Sequence, residues 1–114
     1  MEAIDAGVIH GYHAHVNFDP DKRDVAIAMR EEMGKRFDVV LGRVWDQPVG
    51  PHLKPMFQVA FEPGEFDKVV PWLMVNHNGL SIFIHPETGN ELEDHRDNAL
   101  WINENLGLNL DALN

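Results

Sequence analysis

Seven histidines stand in a chain of 114 residues, and three of them have a spacing that chemistry can use. His13 and His15 flank Ala14 in the run Gly11-Tyr12-His13-Ala14-His15-Val16. On a β-strand, residues i and i+2 share a face roughly 6.6 Å apart, which lets two imidazoles turn onto one ion. His85 precedes Pro86. A residue before proline is biased to extended backbone, so the exit direction of its ring is fixed. Neutral imidazole suits divalent Fe, Zn, Cu and Ni. The chemistry within reach is therefore the binding of a divalent metal ion. His-x-His pairs also occur as solvated surface residues, so the pair counts only if the fold brings His85 to it.

The elements that must do this can be read from periodicity. Val8 to Phe18 alternates, with Val8, His10, Tyr12, Ala14, Val16 and Phe18 on one face. Period two means a strand, with a mostly apolar even side and His13 and His15 on the polar odd side. Asp19-Pro20 opens a helix, with Asp19 as N-cap and Val25, Ala28, Met29 and Met33 as its stripe. Phe37 to Trp45 is a second strand, Gln47 to Pro51 a turn, and Pro55 to Glu62 a third strand. Pro63-Gly64 starts a second helix ending before Gly79. Pro71 predicts a kink or a start near Asp67, since an interior proline costs about 3 kcal/mol. Leu80 to His85 is a fourth strand, ended by Pro86, and a last helix runs near Asp97 to Leu106.

The order is βαββαβ plus a C-terminal helix. This is the ferredoxin-like α+β sandwich, a four-stranded antiparallel sheet with two helices on one face. In that order the fourth strand lies beside the first. His85 then reaches His13 and His15 on the face without helices. His52 after Gly50-Pro51, and His95 after Asp94, each read alone as surface residues that could fold over that face; Asp94 reads as a helix cap. His10 falls on the helix side as a core histidine, and His77 at a helix surface or end. Glu62, Glu91, Glu93 and Asp94 are the candidate carboxylates. Trp45, Trp72 and Trp101 read as core or interface residues, with an aromatic wall for a planar substrate as the lesser reading.

Composition sets bounds. The chain carries 9 basic and 19 acidic residues, for a net charge of −10. So acidic a surface has little to offer phosphates, and nucleic acid is not expected as a partner. The absence of Cys excludes disulfides, thiolate metal sites and Cys nucleophiles. No apolar run approaches the roughly 20 residues of a membrane span. Met1 to Gly11 lacks the features of a signal peptide, so a cytoplasmic protein without membrane contact is expected. One domain, residues 1–114, is the reading of the length. There is no Gly-x-Ser-x-Gly, P-loop or Gly-x-Gly-x-x-Gly motif.

Taken together, Gly11 to Val16 with Phe18-Asp19, Gly50-Pro51-His52, Asn78 to Gly89 and Asp94-His95 resemble the fungal-type DOPA 4,5-dioxygenase family and its small bacterial relatives. The likeness covers about Gly7 to Leu106. It implies non-haem Fe(II) that opens a catechol ring beside its hydroxyls using O₂, with Zn²⁺ or Ni²⁺ as possible stand-ins in a crystal. It carries His13, His15, His52, His85 and His95 into the site. The assignment taken forward gives His13, His15 and His85 to the metal. His52 and His95 are left as acid/base or supporting groups. Leu53 where the family has Pro, and His77 where it often has a basic residue, are departures at loop level. A rival reading is a ferredoxin-like dimer that binds metal or small molecules without turnover. A homodimer suits both readings, because Met56 and Phe83 on the open face would gain from being covered by a partner chain or the tail.

Overall fold

The computed structural model describes residues 1–113. Its elements are β1 (Gly11–Asn17), α1 (Arg23–Arg36), β2 (Val40–Trp45), β3 (Met56–Phe61), α2 (Phe66–Val75), β4 (Ser81–Glu87), α3 (Glu91–Arg96) and β5 (Leu100–Ile102). The strands form one antiparallel sheet in the order β2-β3-β1-β4-β5. The first four lie in ferredoxin-like order, and β5 is added outside β4. The alternation seen in the sequence sorts the sheet into two faces. Ala14 and Val16 of β1, Phe57, Val59 and Phe61 of β3, and Ile82 and Ile84 of β4 point one way. There they pack with Ala26, Met29 and Met33 of α1 and Val69, Val70 and Leu73 of α2 into one core. Each fully buried side chain of this size contributes about 1.5–3 kcal/mol. That face anchors the sheet and leaves the other for His13, His15 and His85.

Several local expectations are corrected. The segment Asp97–Leu106 is not a helix. Asn90 accepts from the Glu93 backbone N at 3.1 Å and caps α3 instead, six residues earlier. Leu100-Trp101-Ile102 then pairs with β4, where Ile102 buries itself opposite Ile82. Asn98, Asn103 and Asn105 are poor helix formers, and Asn103 takes a positive φ of 73° just past the strand. The sheet accordingly has five strands rather than four. Asp19 makes no side-chain cap but pairs with Lys54 at 3.0 Å, while Pro20–Lys22 forms one 3₁₀ turn before α1. His10 is exposed rather than in the core, because β1 starts only at Gly11 and residues Ala6–Val8 form a separate 3₁₀ turn. The second helix does begin beside Asp67, at Phe66 after a 3₁₀ turn over Pro63–Glu65, and Pro71 lies inside it. The carbonyl Pro71 leaves unbonded is that of Asp67, an exposed residue that water can serve.

Pro86 does not end β4 either, and this matters for the site. Glu87 O accepts from His10 N at 2.8 Å on the β1 side. Pro86 therefore faces the other side, where β5 pairs only as far as Ile84. No ladder bond is lost to its missing N–H, and the strand runs on to Glu87.

The face opposite α1 and α2 is covered by the same chain. The loop after β2, α3 and the C-terminal residues close over it. Asn109 N donates to Pro51 O at 2.8 Å, and Leu113 reaches the histidines. Met56 and Phe83 are buried without a second copy.

Candidate metal centre

β1 and β4 pair in a register that sets His13 opposite His85 and His15 opposite Phe83. One ring nitrogen from each of His13, His15 and His85 lies within 4.8 Å of the other two. His15 Nε2 and His85 Nε2 are 3.1 Å apart. His52 from the loop after β2 and His95 from α3 close on this group from above. The His52 ring lies 4.1 Å from that of His15, and the His95 ring 3.9 Å from that of His85, centroid to centroid. His15, His52, His85 and His95 are buried, and His13 is half-buried. All five line a cavity of about 270 Å³. A cavity of roughly 150 Å³ already admits benzene, so a single six-membered ring has room.

Second partners fix the ring orientations. His85 Nδ1 lies 3.0 Å from Pro86 O, and His95 Nδ1 2.7 Å from Glu91 O. A carbonyl can only accept, so both Nδ1 atoms carry a proton and Nε2 is the nitrogen turned away from the backbone in each ring. α3 is held in place from beneath. The buried Asp94 accepts from Thr88 N at 2.8 Å and from Thr88 Oγ1 at 2.6 Å, which ties the turn after β4 to the helix that carries His95. Asp94 is thus an anchor within α3 rather than a cap. Asp94→Ala removes two bonds to a charged group, worth about 1.5–3 kcal/mol each in isolation. A melting temperature lowered by several degrees is expected, and an unchanged melt would show that the anchor is idle.

The electrostatics favour bare imidazoles. Burial pushes His52 and His85 down to about 4. Neighbouring histidines add to this in both, while the Pro86 carbonyl opposes it at His85. His15 is driven well below its ordinary value by burial and then by His52 and His85. Burial also lowers His13, against the pull of Glu87. These four are neutral at pH 7, the form a metal requires. The sign for stability follows. A histidine depressed in the fold takes up its proton in the unfolded chain first. Stability is complete above about pH 6.5 and is lost as pH falls from there towards 4. At ~1.4 kcal/mol per pH unit, His52 and His85 each account for a loss on the order of 3 kcal/mol. Thermal melts of the metal-free protein should fall steeply over that window, and a flat profile would contradict the burial-driven shifts.

The donor set fits a divalent transition metal. His15 Nε2 and His85 Nε2 pair with each other at 3.1 Å, whereas the buried Nδ1 atoms of His15 and His52 have no partner among the described residues. A closed hydrogen-bonded core would not ordinarily leave such atoms unpaired. Three neutral imidazoles converging on one point suit Fe(II) or Zn²⁺.

The sheet topology thus brings together His13, His15 and His85, and the folded-over loop and α3 add His52 and His95. His10 and His77 stay outside; His77 Nδ1 accepts from Gly79 N at 3.1 Å beyond the end of α2. Two residues of the site are not apparent from the sequence alone. Glu87 contacts His13 Nδ1 at 3.0 Å and His85 Nδ1 at 3.6 Å. It follows His85 by two positions, so only the expected strand end at Pro86 hid it. Trp45 lines the cavity, with the Arg43 guanidinium 3.9 Å from its ring centroid. Trp101 instead packs on Phe83, and Trp72 on Phe37.

A ferredoxin-like sheet whose face opposite α1 and α2 carries a five-histidine cavity defines a small α+β protein with three histidines that could hold a metal ion. Residues 12–112 match the model of the Dopa 4,5-dioxygenase family, and the chain belongs to that family. It is 32% identical to an uncharacterized 21.2 kDa protein of Botryotinia fuckeliana, over 96% of this chain and 66% of that one. It is 31% identical to the DOPA 4,5-dioxygenase of Amanita muscaria, over 90% of this chain and 49% of that one. The chain therefore spans about half to two-thirds of these fungal proteins. It superposes on a candidate dioxygenase from Nostoc punctiforme PCC 73102 with a TM-score of 0.96 and 54% identity, over 97% of this chain and 96% of that one. Among the described residues no helix is long and apolar enough to cross a membrane.

Proposed function

We propose that the protein is an extradiol ring-cleaving dioxygenase that adds both atoms of O₂ to a catechol at an Fe(II) held by His13, His15 and His85. The observation that carries this reading is the convergence of those three neutral imidazoles in a cavity sized for one aromatic ring. Family membership supports the reaction class. When bound, Fe(II) supplies a coordination sphere in which the diol and O₂ meet, which gives proximity and orientation.

The chain's own groups do the rest. His95 meets the cavity through Nε2, because its Nδ1 proton is committed to Glu91 O at 2.7 Å. It takes a hydroxyl proton of the entering catechol and can return it later to an oxygen of the opening ring. His52 has a buried Nδ1 with no partner among the described residues. It is free to bond the second hydroxyl or the incoming oxygen. Trp45, Leu113 and Pro51 wall the cavity and limit water. A wider cavity of about 490 Å³ adjoins it, sharing His13 and Glu87 and faced by Tyr12 and Phe61. It gives a ring substituent somewhere to lie. Both oxygen atoms enter the product, so no external reductant is needed.

The test is anaerobic loading with Fe(II), followed by air and a panel of L-DOPA, dihydroxyphenylacetate, caffeate and protocatechuate. Stoichiometric oxygen uptake with a new visible absorbance from a ring-opened product is expected for at least one. Fe(II) binding without consumption of any catechol would leave a metal-binding protein and sink the reaction.

A further inference from the structure

The three proposed metal histidines are not held equally. His85 has the Pro86 carbonyl at 3.0 Å from its Nδ1. His15 is fixed by packing, at 4% exposure, between the rings of His52 and His85. The side chain of His13 is 28% exposed and sits at the end of the group, where the two cavities meet. It has no main-chain acceptor. Its Nδ1 has one polar contact among the described residues, Oε1 of Glu87 at 3.0 Å.

We infer that Glu87 is a positioning residue for the metal centre, one that sets the orientation and tautomer of His13. The inference rests on the metal reading proposed above. A carboxylate offers only acceptors, so its contact at 3.0 Å favours the tautomer of His13 with the proton on Nδ1 and Nε2 bare. An imidazole whose far nitrogen meets a carboxylate is also a more basic ligand. The placement has a backbone cause. Residues i and i+2 of a strand share a face, so β4 must continue through Pro86 for Glu87 to stand beside His85 and diagonally reach His13. Glu87 also lies 3.6 Å from His85 Nδ1, but Pro86 O already holds that ring. The effect of Glu87 should therefore pass through His13.

The experiment is a titration of the metal-free protein with Co(II), followed by its visible absorption, with thermal melts of each variant. Glu87→Ala should bind Co(II) about 10–100-fold more weakly, the usual cost of losing an outer partner of a ligand. Glu87→Gln keeps an amide oxygen that accepts from Nδ1 and should stay within a few-fold of the native chain. In a His13→Ala background, Glu87→Ala should add no further loss, since the group it orients is gone. A lowered melt with unchanged Co(II) affinity would make Glu87 merely structural and overturn the inference. Equal losses in the Ala and Gln variants would point to charge rather than orientation and overturn it too. So would an undiminished Ala effect in the His13→Ala background. A native chain that takes up no Co(II) would overturn the metal reading itself, and this inference with it. That outcome is distinct from a native chain that binds and a Glu87→Ala variant that binds as tightly.

Discussion

His15→Ala should lose retained Fe(II) and drop turnover by about a thousandfold or more, while the apo fold persists. The metal is asked to supply several kcal/mol of barrier lowering, at roughly 1.4 kcal/mol per tenfold. His15 sits at the middle of the group, against His52, His85 and Phe83 at once. No other side chain takes its place when it goes. The fold should survive because Ala14 and Val16 keep the core face of β1 intact, and the His15 Nδ1 gives up no partner. Metal content after gel filtration, a circular dichroism spectrum and an oxygen electrode settle the three parts. A variant that holds Fe(II) like the native chain would remove His15 from the ligand set.

The second large effect separates ligand from acid/base group. His95→Gln should retain Fe(II) within a few-fold and lose about 10²–10⁴ in kcat, the usual contribution of a positioned proton-transfer group. His95 is well placed for this role. Its ring lies 3.9 Å from that of His85, tilted by 32°, and its Nδ1 is tied to the backbone of its own helix. Nε2, the nitrogen not tied to the backbone, is the atom left for a substrate proton. Anaerobic Fe(II) titration and steady-state oxygen uptake distinguish the outcomes. Loss of metal in step with loss of activity would move His95 into the ligand set.

Much of the site was legible because it follows from strand period and strand order. The alternation of Val8 to Phe18 put His13 and His15 on one face, and ferredoxin-like order put β4 beside β1. Both are dictated by burial of Ala14, Val16, Ile82 and Ile84 against the helices. What depends on tertiary closure was not legible. Nothing local to Gly50-Pro51-His52 or Asp94-His95 says that these segments fold over the sheet, and only the resemblance brought His52 and His95 in. The C-terminal third was misread because an Asn90 cap and a three-residue edge strand are weak signals beside a run that merely lacks breakers. Glu87 and Trp45 were missed for opposite reasons. Glu87 lay past a proline taken as a strand end. Trp45 is a residue type that usually packs, and here it faces a cavity beside a bulge between Leu41 and Val44.

The central claim is that this histidine centre places both atoms of O₂ into a catechol. The measurement that meets it most directly is a single turnover of the Fe(II)-loaded protein under isotopically labelled O₂, with mass analysis of the product. The account predicts a ring-opened product carrying two labelled oxygens, and none from the His15→Ala variant. A product with one label, an unlabelled quinone, or unreacted catechol beside fully bound Fe(II) would contradict it.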